Sequence, residues 1–225
     1  SHELKTPIAI IQGYAEGLEY YLDNDPEMAK KYCRTIIDET GRMNDLTIKL
    51  LDITKYESGA YQLMYGNFNL KELIGEWFDR NSKILTDKGI SISNEINENY
   101  IARGDSFILS TVVNNYLSNA VSHVSGEKII TASAEDFGDR YRIYIYNTGE
   151  NIAEKDIDKI WNSFYRADKS LSRSQGRFGL GLAIVAAIQK LHGHDYGVEN
   201  MPDGVRFWFD VSKGEKEADE NTDKK

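Results

Sequence analysis

The chain has 225 residues, of which 40% are hydrophobic and 28% charged, with a formal net charge of −9 at pH 7. This fits a globular protein of one large domain or two small ones, and the negative balance argues against a general surface for nucleic acid or anionic membrane. A single cysteine, Cys33, excludes an intramolecular disulfide framework.

The first patterned stretch begins at once. Leu4, Ile8, Ile11, Ala15, Leu18 and Leu22 recur at steps of four and three, the seam of a helix packed on other helices. With Leu4 on that seam, His2, Glu3 and Thr6 fall off it, so the helix offers an imidazole, a carboxylate and a hydroxyl to solvent. A neutral imidazole, with an unperturbed pKa of about 6.5, is a nucleophile near pH 7. A neighbouring carboxylate can orient it and take its proton. Pro7 removes one backbone bond and bends the helix. The pattern is already under way at Ser1, so an upstream segment is expected.

The helix should end near Leu22, with Asp25 capping and Pro26 opening a second, longer one. Its stripe is Tyr32, Ile36, Met43, Leu46, Leu50 and Ile53, and it stops near Gly59. Cys33 lies in this stretch and reads as a small core residue; a lone thiol suits a reducing compartment. Both apolar faces are too wide for one partner, which predicts an antiparallel hairpin that pairs into a dimeric four-helix bundle. A hairpin packed on its own domain is the alternative.

From Asn69 the texture changes. Leu70 to Thr86 reads as a helix, Ile90 to Ile96 as a strand, and Asp105 caps a helix reaching about Val124. Ile129 to Ala134 and Tyr141 to Tyr146 read as strands, Gly181 to Leu191 as a helix. Val205, Phe207, Phe209 and Val211 alternate with polar neighbours as a half-buried strand. A mixed sheet with helices on one face is the economical arrangement. The tail from Gly214 is charged, without apolar rhythm, and should be disordered. No stretch is long and apolar enough to span a bilayer.

Four constellations in this second part carry chemistry. Asn115, Asn119 and His123 are spaced by four on one face of the helix after Asp105, with Asn115 and Asn119 in the stretch NNYLSNA. Asparagine is a mediocre helix former; its oxygens can ligate Mg²⁺ and its nitrogens can contact phosphate, although a solvated polar face is also consistent. Asn147, Thr148, Gly149, Glu150, Asn151 and Ile152 form a turn directly after a strand. The stretch IWNSFYR, residues 160–166, precedes a polar cationic run with Arg166, Lys169, Arg173 and Arg177, read as a lid or a solvated loop. Gly176 to Val185 is a glycine-rich turn running into a helix, where backbone amides and the helix N-terminus favour phosphate.

His-Glu-Leu-Lys-Thr-Pro resembles the phosphoacceptor box of sensor histidine kinases. NNYLSNA resembles the N box of the same family, the Asn147 turn its first glycine box, IWNSFYR its F box with Phe164 as anchor, and GLGLAIV its second glycine box. The chain departs from the pattern at Ser122, where the family usually has a basic residue, at Asn147, where it has aspartate, and at Asn151, where it has glycine. The boxes occur in the family's order from His2 to about Phe209.

This resemblance implies an α+β chain. Residues 1–60 would be a dimerisation and histidine-phosphotransfer domain, 67–212 an ATP-binding domain of the Bergerat (GHKL) fold, and 213–225 a disordered tail. It implies autophosphorylation on His2 with Glu3 as base, phosphotransfer to the aspartate of a response regulator's receiver domain, and a phosphatase role for Thr6. ATP would contact Asn115, Asn119, His123, Asn147, Gly149, Ile152, Phe164, Tyr165, Arg166, Lys169, Arg177, Gly179, Leu180, Gly181 and Leu182, with Mg²⁺ on Asn119. The chain would be the cytoplasmic portion of a membrane-anchored sensor, homodimeric through the hairpin. Two other readings stay open: a scaffold that keeps the fold without chemistry, and an ATPase of the same nucleotide fold from the chaperone or mismatch-repair class.

Overall fold

The computed structural model describes residues 2–167 and 178–215, with side chains from Lys5 onward. Lys169, Arg173 and Arg177 of the expected lid lie outside these residues, as does the tail from residue 216.

The chain opens with a hairpin of α1 (His2–Tyr21) and α2 (Pro26–Glu57). Asp25 caps α2, its carboxylate accepting the Met28 amide at 3.1 Å. The seam expected on α1 is rotated. Ile8 and Leu22 are 51% and 58% exposed in the single chain. The surface turned towards α2 instead carries Tyr14, Gly17 and Tyr21, which enclose Tyr32. The Tyr32 ring lies against the α1 backbone at Gly17, where a Cβ would overlap it. Cys33 is exposed and not a core residue. The α2 stripe is as expected: Leu46 and Ile53 are buried, and Tyr56 extends it by one turn.

The remainder builds β1 (Gly66–Asn69), α3 (Leu70–Asp87), β2 (Ser91–Asn94), β3 (Ile101–Gly104), α4 (Ser106–His123), β4 (Ile129–Asp136) and β5 (Arg140–Thr148). It continues through α5 (Glu154–Ile157), α6 (Gly181–His192), β6 (Tyr196–Met201) and β7 (Gly204–Lys213). Strand order is β1-β3-β7-β5-β4-β2, with β6 also on β7. All pairs are antiparallel except β2 with β4. β7 is therefore flanked by β5 along one side, and by β6 and then β3 on the other. β7 takes in Lys213, and the Gly214 amide donates to the Ile101 carbonyl at 2.7 Å, so the tail begins later than expected.

Alternation along the strands sends Ile130, Ala132, Ile143, Ile145, Val205, Phe207, Phe209 and Val211 into one core. Ile74 and Phe78 of α3, Val112, Val113 and Tyr116 of α4, and Ile184 and Ile188 of α6 meet them there. Leu46, Ile53 and Tyr56 of α2 belong to the same cluster, so the hairpin's second helix is continuous with the α/β core.

The opposite sheet face holds a buried carboxylate shared by two guanidiniums. Asp210, 1% exposed, accepts from Arg140 Nε at 3.0 Å and from Arg142 at 2.7 and 2.9 Å, with Arg142 stacked 3.7 Å over Trp208. Asp210→Ala leaves two guanidiniums without their shared acceptor. Urea unfolding is expected to show a loss of about 2–4 kcal/mol.

Candidate active site

Helix α4 is the axis of the site. The Asp105 carboxylate caps it, accepting the amides of Phe107 and Ile108 at 3.1 and 3.3 Å. Ile108, Leu109, Val112, Val113, Tyr116, Leu117 and Ala120 bury one side of it. That orientation leaves Asn115, Asn119 and His123 aligned on another, half-buried to exposed. Eight residues separate Asn115 from His123, about 12 Å along a helix axis.

A glycine turn meets each end of this stripe. At one end is Gly181, the first residue of α6, where a Cβ would come within 2.7 Å of Asn115 Oδ1. Asn115 is held there because its amide nitrogen donates to the Thr111 carbonyl at 2.8 Å. Among the described residues no side chain caps the start of α6, and the first amides of a helix, which lack partners within it, suit an anion. At the other end is Gly149, with φ +151°, where a Cβ would come within 2.6 Å of the His123 carbonyl. Gly204 closes the same corner from β7, since a Cβ there would overlap the Asn147 carbonyl.

Asn147 is buried at the end of β5. Its amide nitrogen is spent on the Thr148 carbonyl at 3.1 Å. Its oxygen has no hydrogen-bond partner among the described residues and is left as an acceptor. Thr148 ties the corner together, donating to the Ser125 carbonyl at 2.9 Å and accepting the Ile129 amide at 3.0 Å. Ile152 is fixed by both groups of the Asn200 side chain, at 2.9 and 2.7 Å.

The residues after α5 cross the turn before α6. Gly179 has φ +68°, and its carbonyl accepts the Phe164 amide at 2.9 Å; Phe164 itself has φ +69°. Trp161 anchors this segment edge-on to Tyr196, 4.8 Å between ring centroids. Tyr165 donates to buried Asp156 at 2.7 Å, and that hydrogen bond raises the phenol's pKa. Leu180 is buried and Leu182 half-buried behind the turn, so both serve its packing. Arg166 is half-buried beside Gly179.

The structure thus sets Gly181 against Asn115 at one end of the α4 stripe and Gly149 against the His123 carbonyl and Asn147 at the other, with Gly179 packed on Phe164 and Tyr165 two residues before Gly181. Lys169 and Arg177 lie outside the described residues, and so do the side chains of His2 and Glu3, which occupy the first turn of α1. Thr6 is half-buried. Ser122, where a basic residue is usual, folds back onto the Ser118 carbonyl at 2.6 Å. Sequence reasoning missed Thr148, Asp156 and Asn200, whose side chains bond partners 9 to 48 residues away.

The residues at the Gly181 end of the stripe suit a phosphorylated nucleotide. The space at Gly181 is one that a Cβ would fill, the α6 amides lack a cap, and Asn119 makes no side-chain hydrogen bond among the described residues. No cluster of three or more His, Cys, Asp or Glu suited to a metal occurs among those residues. A divalent ion here would be held chiefly by the phosphates, with Asn119 contributing one neutral oxygen.

Residues 104–215 match the family model described as histidine kinase-, DNA gyrase B- and HSP90-like ATPase. Residues 1–59 match the His Kinase A phospho-acceptor domain. The sensor-like histidine kinase SenX3 of Mycolicibacterium smegmatis is 26% identical over 229 residues, covering 100% of this chain and 59% of that protein. The sensor protein kinase WalK of Staphylococcus epidermidis is 31% identical over 195 residues, 85% of this chain and 32% of that one. The chain therefore spans 59% and 32% of the length of these two relatives. Among solved structures, the histidine kinase ThkA in complex with the response regulator protein TrrA aligns with TM-score 0.72 and 28% identity, over 95% of this chain and 59% of that one. Among the described residues no helix is long and apolar enough to cross a membrane.

Proposed function

Since the chain belongs to the sensor histidine kinases of two-component signalling, we propose that it phosphorylates itself on His2 from ATP and passes the phosphoryl group to an aspartate of a response regulator. The observation that carries this reading is the amide stripe of α4, closed at one end by Gly181 and at the other by Gly149, in a chain that opens on His-Glu-Leu-Lys-Thr-Pro. Residues 1–60 form the phosphotransfer part and 67–212 the nucleotide-binding part.

The nucleotide lies along the stripe. Asn147, with its oxygen left over as an acceptor, takes a hydrogen bond from the adenine amino group. Asn115 and the first amides of α6 hold the phosphates. Asn119 is the residue that would hold Mg²⁺, which when bound would supply charge neutralisation for the triphosphate. The His2 ring nitrogen attacks the γ-phosphorus, forming an N–P bond as the bond to the ADP oxygen breaks. Glu3 receives the ring proton. Such a transfer demands positioning above all. Incubation with γ-labelled ATP and Mg²⁺ is expected to give acid-labile, base-stable label on the chain. Nucleotide binding without any label would favour the scaffold reading.

The hairpin's exposed apolar residues, Ile8, Leu22, Ile37, Ile48 and Leu51, support a homodimer in which a second copy covers them. We place this chemistry on the cytoplasmic side, where ATP is found and where the exposed thiol of Cys33 stays reduced.

Thr6 lies three residues beyond Glu3 on the same helix. In this reading it orients water against the phosphorylated regulator. Thr6→Ala is expected to leave autophosphorylation within about twofold while slowing regulator dephosphorylation roughly tenfold or more. Equal losses in both assays would make Thr6 structural.

A further inference from the structure

Asp105 does more than a cap requires. Capping α4 uses one carboxylate oxygen, Oδ1. Serine or asparagine would do as well, and Asn69 does the same for α3 through its single oxygen. Yet Asp105 is a carboxylate at 2% exposure, and its second oxygen is also fully used. Oδ2 accepts the Met64 amide at 2.9 Å and the Tyr61 hydroxyl at 3.1 Å, both from the segment that joins α2 to β1.

The backbone of the same residue reaches a third element. Its amide donates to His192 Nε2 at 3.3 Å, in the last turn of α6. His192 Nδ1 then donates to the Ile188 carbonyl at 3.0 Å. Accepting through one nitrogen and donating through the other requires a neutral ring, and burial lowers the His192 pKa in the same sense. On the hairpin's side, Tyr61 sits edge-on to Tyr56, ring centroids 5.4 Å apart. Tyr56 is buried in the last turn of α2.

We infer that Asp105 is a positioning residue: beyond the packing of Leu46, Ile53 and Tyr56 in the shared core, it fastens the end of α2, through Tyr61, to the two helices that hold the nucleotide, and so sets how the phosphates are aimed relative to the hairpin. This rests on the kinase reading above. The reason is leverage. The contact lies at the start of α4 and the end of α6, whereas Gly181 begins α6. Twelve residues of helix put that cradle about 18 Å from the pivot. A ten-degree rotation there would displace the cradle by roughly 3 Å, and a misplacement of about 1 Å can already cost on the order of a hundredfold in rate. The trough between Asn115 and Gly181 belongs wholly to the part that would swing. A loosened pivot therefore leaves nucleotide affinity alone and lowers the rate of transfer.

The test uses the whole chain with Tyr61→Phe and Asp105→Ser, singly and together. Phenylalanine keeps the ring and removes one donor. Serine keeps a capping oxygen but cannot also reach Tyr61 and Met64. The expected result is a kcat for His2 labelling lowered about tenfold in each variant, a KM for ATP within about twofold of the unsubstituted chain, and a double variant no slower than the slower single, as two ends of one contact require. An unchanged or raised kcat, a KM that rises in step with the loss, or additive losses would overturn the inference. Should Asp105→Ser fail to fold, Tyr61→Phe decides alone. Label missing from the unsubstituted chain would overturn the kinase reading itself; label present there and unaltered in Tyr61→Phe would overturn this inference only.

Discussion

His2→Gln is expected to abolish ATP-dependent labelling, by at least about a thousandfold, while leaving ATP affinity within roughly twofold. Glutamine preserves length and hydrogen-bonding capacity and keeps the helix intact. It has no ring nitrogen with a lone pair available near neutral pH, so the N–P bond cannot form. The site proposed for the nucleotide draws on α4, α6 and the turns after β5 and α5, none of which includes His2. Binding and labelling should therefore separate cleanly. Two measurements check this: calorimetry with a non-hydrolysable ATP analogue, and label retained after gel electrophoresis at alkaline pH. Persistent label would move the acceptor elsewhere. Glu3→Gln should fall between, losing about a hundredfold, because it removes the proton acceptor and leaves the nucleophile.

How far the sequence foretold this arrangement depends on the range over which each residue acts. The face of α4 was legible because its two demands are both local: apolar residues recurring at helical steps, and amides recurring every fourth position on another side. The caps were legible for the same reason, since Asp25 and Asp105 act on amides two or three residues away. The second use of Asp105 was not, because Tyr61 lies 44 residues back and His192 lies 87 residues on. Thr148 and Asn200 were missed likewise, their partners lying 19 to 48 residues away. Asn200 closes on Ile152 across 48 residues, and its own neighbourhood, just before Pro202 and Gly204, reads only as a turn.

The short strands failed for a different reason. Gly66–Asn69 and Ile101–Gly104 have four residues each, too few for alternation to declare itself. β6 loses its alternation at Gly197, where a Cβ would collide with the Trp208 ring at 2.6 Å. On α1, leucine and isoleucine suggested the seam, but the intramolecular contact is aromatic. Tyr14 and Tyr21 close around Tyr32 with centroids 4.8 and 5.3 Å away, which turns Ile8 and Leu22 outward. Side-chain type alone could not separate the face that meets α2 from the face available to a second copy.

Gly179 is where the glycine turn is least tolerant of change, and Gly179→Ala is expected to weaken ATP binding about thirtyfold or more, with a matching loss of labelling at subsaturating ATP. Two independent penalties act there. The backbone is left-handed, at φ +68°, which an L side chain adopts at a cost of roughly 1–2 kcal/mol. The added methyl would also lie 2.7 Å from the Tyr165 carbonyl and 3.0 Å from the Phe164 carbonyl carbon, both backbone atoms that cannot rotate aside. Relief requires the two segments to separate, breaking the hydrogen bond from the Phe164 amide to the Gly179 carbonyl. Phe164 already holds a left-handed φ of +69°, so it has little freedom to absorb the shift. Gly181 lies two residues on, and moving the turn carries the first α6 amides away from Asn115. The fold should survive, because Leu180, Ile184 and Ile188 still anchor α6 in the core. A thermal melt without nucleotide is therefore expected to shift only a few degrees, while the stabilisation that ATP confers on the native chain disappears. Undiminished nucleotide-dependent stabilisation in Gly179→Ala would show that this turn does not hold the phosphates.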